Sequence, residues 1–313
     1  MKKPTMQRIA DELGVSKNSV SLALSGKPGV SAELRKKVVE TAETIGYPLK
    51  PNRSAAKGQM IGLIAREEVF PENTFFGIIN LSIEKEIKSR NGNLLIHSVD
   101  PASEENLVMP EFLKEKKVDG LLVLSHLKHE YLQEIVALDI PVVLIDHHHP
   151  QLKVDSVLTD NQEGAYRATK HLLATGARHV GFIGQKGKSP SYLERYRGYL
   201  EAMKEARIPV NEHWVIQNLK EDEEAFMARI KSMDNLPDGW FCANDEYGFL
   251  VSRILMRLGY DIPGECSILG FDNSYFAGLS MPPLSTMSVN KDYFAKRSII
   301  QLYRRMEERD FPH

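Results

Sequence analysis

The sequence predicts an α/β protein in which a small all-α head precedes a large, two-lobed body of parallel sheets. Up to about residue 47, apolar residues recur at the spacing of short helices. From Met60 onward, continuous apolar runs alternate with amphipathic stretches, which is typical of buried parallel strands covered by helices on both faces. This second region exceeds 250 residues, which is too long for one open sheet, so two similar lobes are expected.

The head is predicted to contain three short helices and to end in a linker. Ser16 and Ser31 each precede a helical pattern, where a hydroxyl can accept hydrogen bonds from free backbone N–H groups. Residues 48–58 hold two prolines and a glycine, as linkers do. We therefore assign 1–58 to the head and hinge and 59–313 to the body. The apolar positions of the three helices are Ile9, Ala10 and Leu13; Val20 and Leu24; and Leu34, Val38, Val39, Ala42 and Ile45.

The body pattern predicts strands and helices in alternation, with a break between lobes near Asp160. The first lobe is predicted to span 59–160 with 290–313, and the second 161–289. The predicted strands are 60–65, 93–98, 119–125, 141–146, 179–184, 240–245 and 266–272, and the clearest helices are 75–89, 161–176 and 246–259.

Composition excludes several classes of protein. The chain of 313 residues carries 40 Lys+Arg against 42 Asp+Glu and is 42% hydrophobic, which argues against a disordered or fibrous protein. No apolar run approaches the ~20 residues of a membrane span, and the N-terminus lacks the apolar region of a secretory signal. The two cysteines, Cys242 and Cys266, lie in apolar strands and suit a reducing compartment. A cytoplasmic protein is expected.

No catalytic or metal-binding constellation is visible. The consecutive histidines His147, His148 and His149 cannot readily converge on one metal ion, and no spaced partner accompanies them. No paired nucleophile and base stands out. The sequence therefore predicts a protein that is not an enzyme and needs no metal or cofactor.

Charge is distributed unevenly along the chain. Residues 1–58 carry eleven Lys/Arg and five Asp/Glu, a net charge of +6, whereas the remainder has a net charge of -8. A basic head on an acidic body indicates that the head meets a polyanion. Taken alone, the positive charge of the head is equally consistent with a solvated helical surface that meets no polyanion.

Three residues of the head have the spacing of a helix-turn-helix. Ala10 is small where a second helix would cross, Gly14 allows the positive φ of the turn, and Val20 would fill the core from the second helix. That arrangement leaves the start of the second helix facing outward, where a recognition helix enters the major groove. The outward residues are Lys17, Asn18, Ser21 and Leu22.

The surrounding sequence resembles the lactose/galactose repressor family of transcriptional regulators over essentially the whole chain. The head run TMQRIADELGVSKNSVSLALSGKPGVSAELRKKVVETAETIGY, followed by PNRSAA, carries the likeness. In the body it continues through KKVDGLLVL, IPVVLIDH, FCANDEYGFL and CSILGFDNS. The resemblance implies a helix-turn-helix, a hinge, and a body like a periplasmic sugar-binding protein. It also implies a homodimer on a pseudo-palindromic DNA operator.

The resemblance assigns DNA contacts within the head. Lys17 and Asn18 match the base-reading positions, although Lys17 could instead contact phosphate alone. Leu22 matches a third reading position, where an alkyl group can touch a thymine methyl but cannot hydrogen-bond a base. The remaining predicted contacts, of which the hydroxyl residues can also serve as helix caps, are Thr5, Ser16, Ser21, Ser31, Asn52, Arg53 and Ala55.

The resemblance also assigns a cleft between the lobes that binds a small sugar-like effector. Arg195 and Asp272 suit neighbouring hydroxyls, Asn244 can donate and accept, and an aromatic ring such as Phe76 covers an apolar sugar face. Phe76 could equally be a core residue, and Asp272 a helix cap. The predicted effector residues are Phe76, Asp146, Arg195, Asn244 and Asp272.

Three places depart from the family pattern. Lys220 stands where members often have a stacking aromatic. Together with Arg66 at the cleft mouth and Arg195 it would favour a sugar phosphate or sugar acid, unless Lys220 is simply solvated. Gly58 stands near the position where members have a hinge leucine that wedges into the minor groove and bends the DNA. Because glycine has no side chain to insert, a straighter operator is expected unless Met60 takes the place of that leucine. The chain stops at ERDFPH, where members continue into a last strand, so a truncated or differently completed lobe is expected.

Two other classes of function remain as alternatives. A sugar-binding module of a transport receptor would share the body but has no use for a basic head. A sugar-metabolising enzyme would need a catalytic constellation. The sequence favours a DNA-binding repressor controlled by a sugar-like effector.

Overall fold

The computed structural model describes residues 5–24, 29–45, 47, 58–71, 74–185, 187, 189–217 and 223–308. The chain divides into a compact N-terminal unit and a larger unit that holds the sheets. The hinge residues 48–57 lie outside the described residues.

The head contains the three predicted helices: α1 (Met6–Leu13), α2 (Lys17–Leu24) and α3 (Ala32–Thr44). Gly14 ends α1 with φ 63°, a left-handed conformation that glycine adopts without steric cost, so the predicted turn is confirmed. A small apolar core holds the helices together. Its buried members are Ile9, Ala10, Val20, Ala23, Val38 and Ala42.

The first lobe of the body is built on a parallel sheet in the order β2-β1-β3-β4-β5. Its strands are β1 (Met60–Arg66), β2 (Asn93–Val99), β3 (Gly120–Leu124), β4 (Val142–Ile145) and β5 (Asp155–Val157). Helices α4 (Phe75–Ser89), α5 (Pro101–Glu105), α6 (Glu111–Lys114) and α7 (His129–Val136) connect the strands. Continuous burial of Gly120–Leu124 shows that helices cover both faces of this sheet.

The second lobe repeats this design in the order β10-β9-β8-β6-β7, again with parallel pairing. Its strands are β6 (Val180–Ile183), β7 (Val215–Ile216), β8 (Gly239–Cys242), β9 (Ser267–Asp272) and β10 (Ser285–Ser288). Its helices are α8 (Asn161–Ala174), α9 (Pro190–Glu205), α10 (Glu223–Lys231), α11 (Asp245–Arg257) and α12 (Tyr275–Leu279).

The last described helix, α13 (Lys291–Glu307), returns to the first lobe. Its apolar residues Phe294, Ile299 and Leu302 join the core of the first sheet. Arg305 closes the contact: its Nε and Nη2 donate to the two carboxylate oxygens of Asp155 at 2.7 and 2.8 Å. The chain therefore passes between lobes both after β5 and after β10.

The predicted fold class is confirmed, and each predicted strand is present with shifted ends. The predicted strand 240–245 ends earlier, at Cys242, because Asn244 begins the next helix as its cap. Three strands fall outside the seven predicted runs: β5 and β10 are short and mostly polar, and β7 has only two residues. Cys242 and Cys266 are buried in the second-lobe core, as expected. Met60 belongs to β1, where its backbone N–H donates to Asp119 at 2.8 Å.

Candidate functional site

The start of α2 presents the predicted reading residues of the head. Lys17, Asn18 and Ser21 are exposed, and Leu22 is partly buried. Ser16 fixes the helix start, because its hydroxyl accepts a hydrogen bond from the backbone N–H of Ser19 at 3.0 Å. The exposed end of α2 thus offers an ammonium, an amide and a hydroxyl to a partner.

The other predicted contacts of the head divide into helix caps and undescribed residues. Thr5 Oγ1 accepts from Arg8 N–H at 3.3 Å, and Ser31 Oγ accepts from Leu34 N–H at 3.1 Å. Both hydroxyls therefore serve as helix caps at exposed helix N-termini, where backbone N–H groups also favour phosphate. Asn52, Arg53 and Ala55 lie outside the described residues.

The body contains a cavity of about 260 Å³ between its two lobes. The carboxyl ends of strands from both sheets open into it, which is where ligands bind in parallel α/β sheets. The structure brings all five predicted effector residues to this cavity: Phe76 and Asp146 from the first lobe, and Arg195, Asn244 and Asp272 from the second. Arg66 lines it too, whereas Lys220 lies outside the described residues.

Arg195 is the centre of the second-lobe wall and is only 2% exposed. Its Nη2 donates to Asp272 Oδ1 at 3.0 Å, its Nε to Asn161 Oδ1 at 2.9 Å, and its Nη1 to the carbonyl oxygen of Ala243 at 2.5 Å. Its guanidinium also stacks 3.8 Å from the ring centroid of Phe271. Arg195 therefore fixes the direction of the Asp272 carboxylate.

Four residues at the ends of strands beside the cavity have a strained backbone. Ser125, Asp146, Asp272 and Asn273 all have positive φ, from 48° to 100°. Non-glycine residues in this region cost on the order of 1–3 kcal/mol each and persist only where the surroundings hold them. Strain of this kind is typical of functional sites.

Lys291 holds part of this strained backbone, and sequence reasoning did not find it. Its Nζ donates to the carbonyl oxygens of Asp272 and Asn273 at 2.6 and 2.9 Å. The same ammonium lies 5.6 Å from the ring centroid of Phe75 in the first lobe. Lys291 therefore connects the Asp272 turn to the opposite wall of the cavity.

Tyr192 is a second residue that sequence reasoning missed. Asn244 Nδ2 donates to the Tyr192 hydroxyl at 2.8 Å, while Asn244 Oδ1 accepts from Tyr247 N–H at 2.9 Å and caps α11. Burial raises the pKa of Tyr192, so its hydroxyl keeps its proton at neutral pH. Asn244 is thus oriented by its neighbours at the edge of the cavity.

Asp146 lies opposite, at the end of β4. Thr159 Oγ1 donates to its carboxylate at 3.4 Å. Burial raises the pKa of Asp146 to about 7, an effect that the nearby Arg195 guanidinium opposes and the Asp272 carboxylate reinforces. At neutral pH the carboxyl group of Asp146 therefore exists in both protonation states.

A cluster of imidazoles lies beside the cavity in the first lobe. The ring centroids of His126 and His147 are 5.4 Å apart, and those of His129 and His149 are stacked at 4.2 Å. Burial lowers the pKa of His147 to about 3, so this ring is neutral. Among the described residues, no group of three or more His, Cys, Asp or Glu side chains is arranged to hold a metal ion.

Comparison with known proteins agrees with this architecture. Residues 5–52 match the bacterial regulatory proteins of the lacI family, and residues 169–313 match the periplasmic binding protein-like domain. The chain is 30% identical to the HTH-type transcriptional regulator DegA of Bacillus subtilis, over 91% of this chain and 86% of that protein. The chain belongs to the lacI family of bacterial regulatory proteins. It is a DNA-binding transcriptional repressor of that family.

Two further comparisons extend over most of the chain. It is 28% identical to the HTH-type transcriptional repressor PurR of Pasteurella multocida, over 97% of this chain and 92% of that protein. A solved periplasmic binding protein/LacI transcriptional regulator from Alkaliphilus metalliredigens, complexed with D-xylulofuranose, is 26% identical with a TM-score of 0.65. It covers 80% of this chain and 91% of its own. Among the described residues, no helix has the length and hydropathy of a membrane span.

Proposed function

We propose that the protein is a cytoplasmic homodimer that represses transcription at a pseudo-palindromic operator. Its affinity for the operator falls or rises when a sugar-like effector binds between the body lobes. The observation that carries this proposal is the presence, in one chain, of a helix-turn-helix with exposed polar residues and a lined cavity between two lobes. Neither a transport receptor nor a sugar-metabolising enzyme makes use of both.

The head supplies the DNA contacts of the proposal. Lys17 and Asn18 stand exposed at the N-terminal end of α2, where a recognition helix meets base edges. The capped N-termini at Thr5, Ser16 and Ser31 would contact phosphates and set the register on the duplex. One such head reads few bases, which favours a two-fold dimer on two half-sites.

The body supplies the effector site of the proposal. The cavity combines a buried carboxylate–guanidinium pair with an amide and aromatic rings, the mixture that sugars require. A relative with 26% identity was solved with D-xylulofuranose, which supports a polyol for this chain as well. We propose that the protein has no catalytic activity, since the relatives DegA and PurR are named as transcriptional regulators.

The two segments that connect the lobes are proposed to couple effector binding to the angle between the lobes. Lys291 and Thr159 lie on the two segments that pass between lobes, and each binds an effector residue of the cavity wall. A ligand that changes the angle between the lobes would change the spacing of the two heads in a dimer, and hence the fit to two half-sites.

We propose that exposed apolar side chains of the first lobe form the dimer surface. Leu81 on α4 and Ile96 on the edge strand β2 are 38% and 48% exposed. Large apolar side chains left uncovered beside an unpaired strand edge favour burial against a second copy. Sedimentation of the full chain tests this: the proposal expects a dimer, and Ile96→Glu should shift it toward monomer.

Selection of duplex DNA from a random pool by the full chain tests the proposed function. The proposal expects an enriched sequence with two inverted half-sites. Enrichment of no sequence, or of one without symmetry, contradicts it.

Replacing Asn18 with alanine is expected to relax discrimination at one position of that operator by about 1–3 kcal/mol, because an amide can read a base edge bidentately. Binding of the full chain to single-base variants of the operator measures this effect. Ser31→Ala is the matched control: it removes a helix cap and should weaken binding to all sequences alike. An equal loss on operator and random DNA for Asn18→Ala contradicts base contact.

A further inference from the structure

The charge of the cavity wall points to the kind of effector that it binds. Among the described residues, five carboxylates and two guanidinium groups line the cavity, and the Lys291 ammonium lies behind the Asp272 turn. A wall with this excess of negative charge repels an anionic ligand and attracts a cation. The carboxylates are Glu68, Asp146, Asp245, Glu246 and Asp272, and the guanidinium groups are Arg66 and Arg195.

Both guanidinium groups already have acidic partners. Arg66 binds Glu104 through Nε and Nη2 at 3.1 and 3.0 Å, and Glu104 is only 4% exposed. Arg195 binds Asp272 at 3.0 Å. Neither charge is therefore available to neutralise a phosphate or a carboxylate on a ligand. The sequence suggested a sugar phosphate or sugar acid from Arg66, Arg195 and Lys220. Arg66 and Arg195 are each held in an ion pair, and Lys220 lies outside the described residues.

Asp146 is placed differently from these paired groups. The structure gives its carboxylate a long hydrogen bond from Thr159, at 3.4 Å, and among the described residues it forms no ion pair within 4 Å. The charged groups that influence it are Arg195, Asp272 and Glu194, and Arg195 is engaged by Asp272. A carboxyl group in this position is stabilised in its charged form by a cation that enters the cavity.

Aromatic rings line the same cavity as the carboxylates. Phe75 and Phe76 come from the first lobe, and Tyr192 and Phe276 from the second. Ring faces stabilise an ammonium group electrostatically, and carboxylates combined with aromatic rings are a common way to recognise amines. The same rings also cover the apolar face of a sugar.

We propose that the effector is a polyol that carries a protonated amine, such as an amino sugar, and that Asp146 is its counter-ion. The proposal rests on the proposed function, because it concerns the same cavity. Asn244 and the Arg195–Asp272 pair bind hydroxyls, while the ammonium group lies against Asp146. Asp146 thereby determines specificity for charge, and the remaining wall determines specificity for the sugar.

Calorimetric titration of the full chain with charge-matched sugars tests this proposal. The probes are glucosamine, galactosamine and mannosamine, their neutral parents, and the corresponding 6-phosphates. At least one amino sugar is expected to bind about tenfold or more tightly than its neutral parent. The corresponding 6-phosphate is expected to bind more weakly than both of these sugars. In Asp146→Asn, which keeps the side-chain shape, the ratio of amino-sugar affinity to parent-sugar affinity should fall to about one, whatever happens to the two affinities separately.

The same titration at two pH values separates charge recognition from fit. Because the pKa of Asp146 is about 7 and that of Asp245 about 6, raising the pH from 5.5 to 7 creates the carboxylate that the amine needs. With a pKa of 7 the charged fraction of Asp146 rises about 15-fold over that range, and amino-sugar affinity should rise with it. Asp146→Asn should remove most of the rise. His126, which faces the cavity, has a pKa lowered by burial and adds little charge there.

The possible outcomes test the amine proposal and the role of the cavity as an effector site separately. If a neutral sugar or a phosphate binds as tightly as its amino counterpart, or if Asp146→Asn leaves the amine advantage intact, the amine proposal is wrong and the effector cavity stands. If no probe of any charge binds, the amine proposal is wrong and the cavity also loses its assigned role.

Discussion

Replacing Arg195 with methionine is expected to lower the free energy of unfolding of the body by about 3–5 kcal/mol, the cost of leaving one partner of a buried ion pair alone. The Asp272 carboxylate would lose its cation, and Asn161 and the Ala243 carbonyl would lose their donors. Urea unfolding followed by tryptophan fluorescence measures the change, since Trp214 and Trp240 both lie in the second lobe. The effector response should disappear with the same substitution.

Two controls make this prediction specific. Arg167→Met breaks an exposed ion pair with Glu163 and should cost less than about 1 kcal/mol. Adding Asp272→Asn to Arg195→Met removes the stranded charge with a residue that tolerates the positive φ at this position, so the double variant should recover part of the loss. A cost for Arg195→Met no larger than that for Arg167→Met contradicts a structural role for the buried pair.

Replacing Ala10 with leucine is expected to reduce operator affinity by about 100-fold while leaving the second lobe as stable as before. Ala10 is 1% exposed in the small core of the head, and three added carbons would force apart the helices that it joins. Overpacking of a core typically costs about 1–3 kcal/mol and occasionally more, and a loss of about 2.7 kcal/mol corresponds to 100-fold in binding. Fluorescence anisotropy of labelled operator measures the affinity.

Gln7→Leu is the matched control for the head. Gln7 is exposed on the same helix, so the substitution adds an apolar side chain to α1 without entering the core. Operator affinity should then change by less than about threefold, because surface substitutions cost little. If Ala10→Leu and Gln7→Leu reduce affinity equally, the packing of α1 does not position the reading helix.

The sequence was sufficient for features that depend on periodicity and local chemistry. Ile9, Val20 and Val38 recur at helical spacing and form the head core, and Ser16 and Ser31 cap the helices that follow them. Seven apolar runs became strands because buried parallel strands are apolar on both faces. Short polar strands such as β5 and β10 carry no such signal.

The cavity could be predicted only through the family resemblance. Arg195 and Asp272 are 77 positions apart, and nothing in their spacing shows that they pair. Lys291 acts on backbone carbonyls whose direction depends on the positive φ of Asp272 and Asn273. Arg66 lies at the cleft as predicted, but its ion pair with Glu104 could not be predicted, because Glu104 lies on a different element.

Coupling between the cavity and the head can be measured as the operator affinity of the full chain with and without a ligand that occupies the cavity. Binding in the cavity first has to be shown by calorimetry, and by its loss in Asp272→Asn. Saturating ligand is expected to change operator affinity by about 5–150-fold, the usual range of coupling between two sites. Asp272→Asn should remove this change without altering operator affinity in the absence of ligand. A ligand that fills the cavity and leaves operator affinity unchanged would contradict the account.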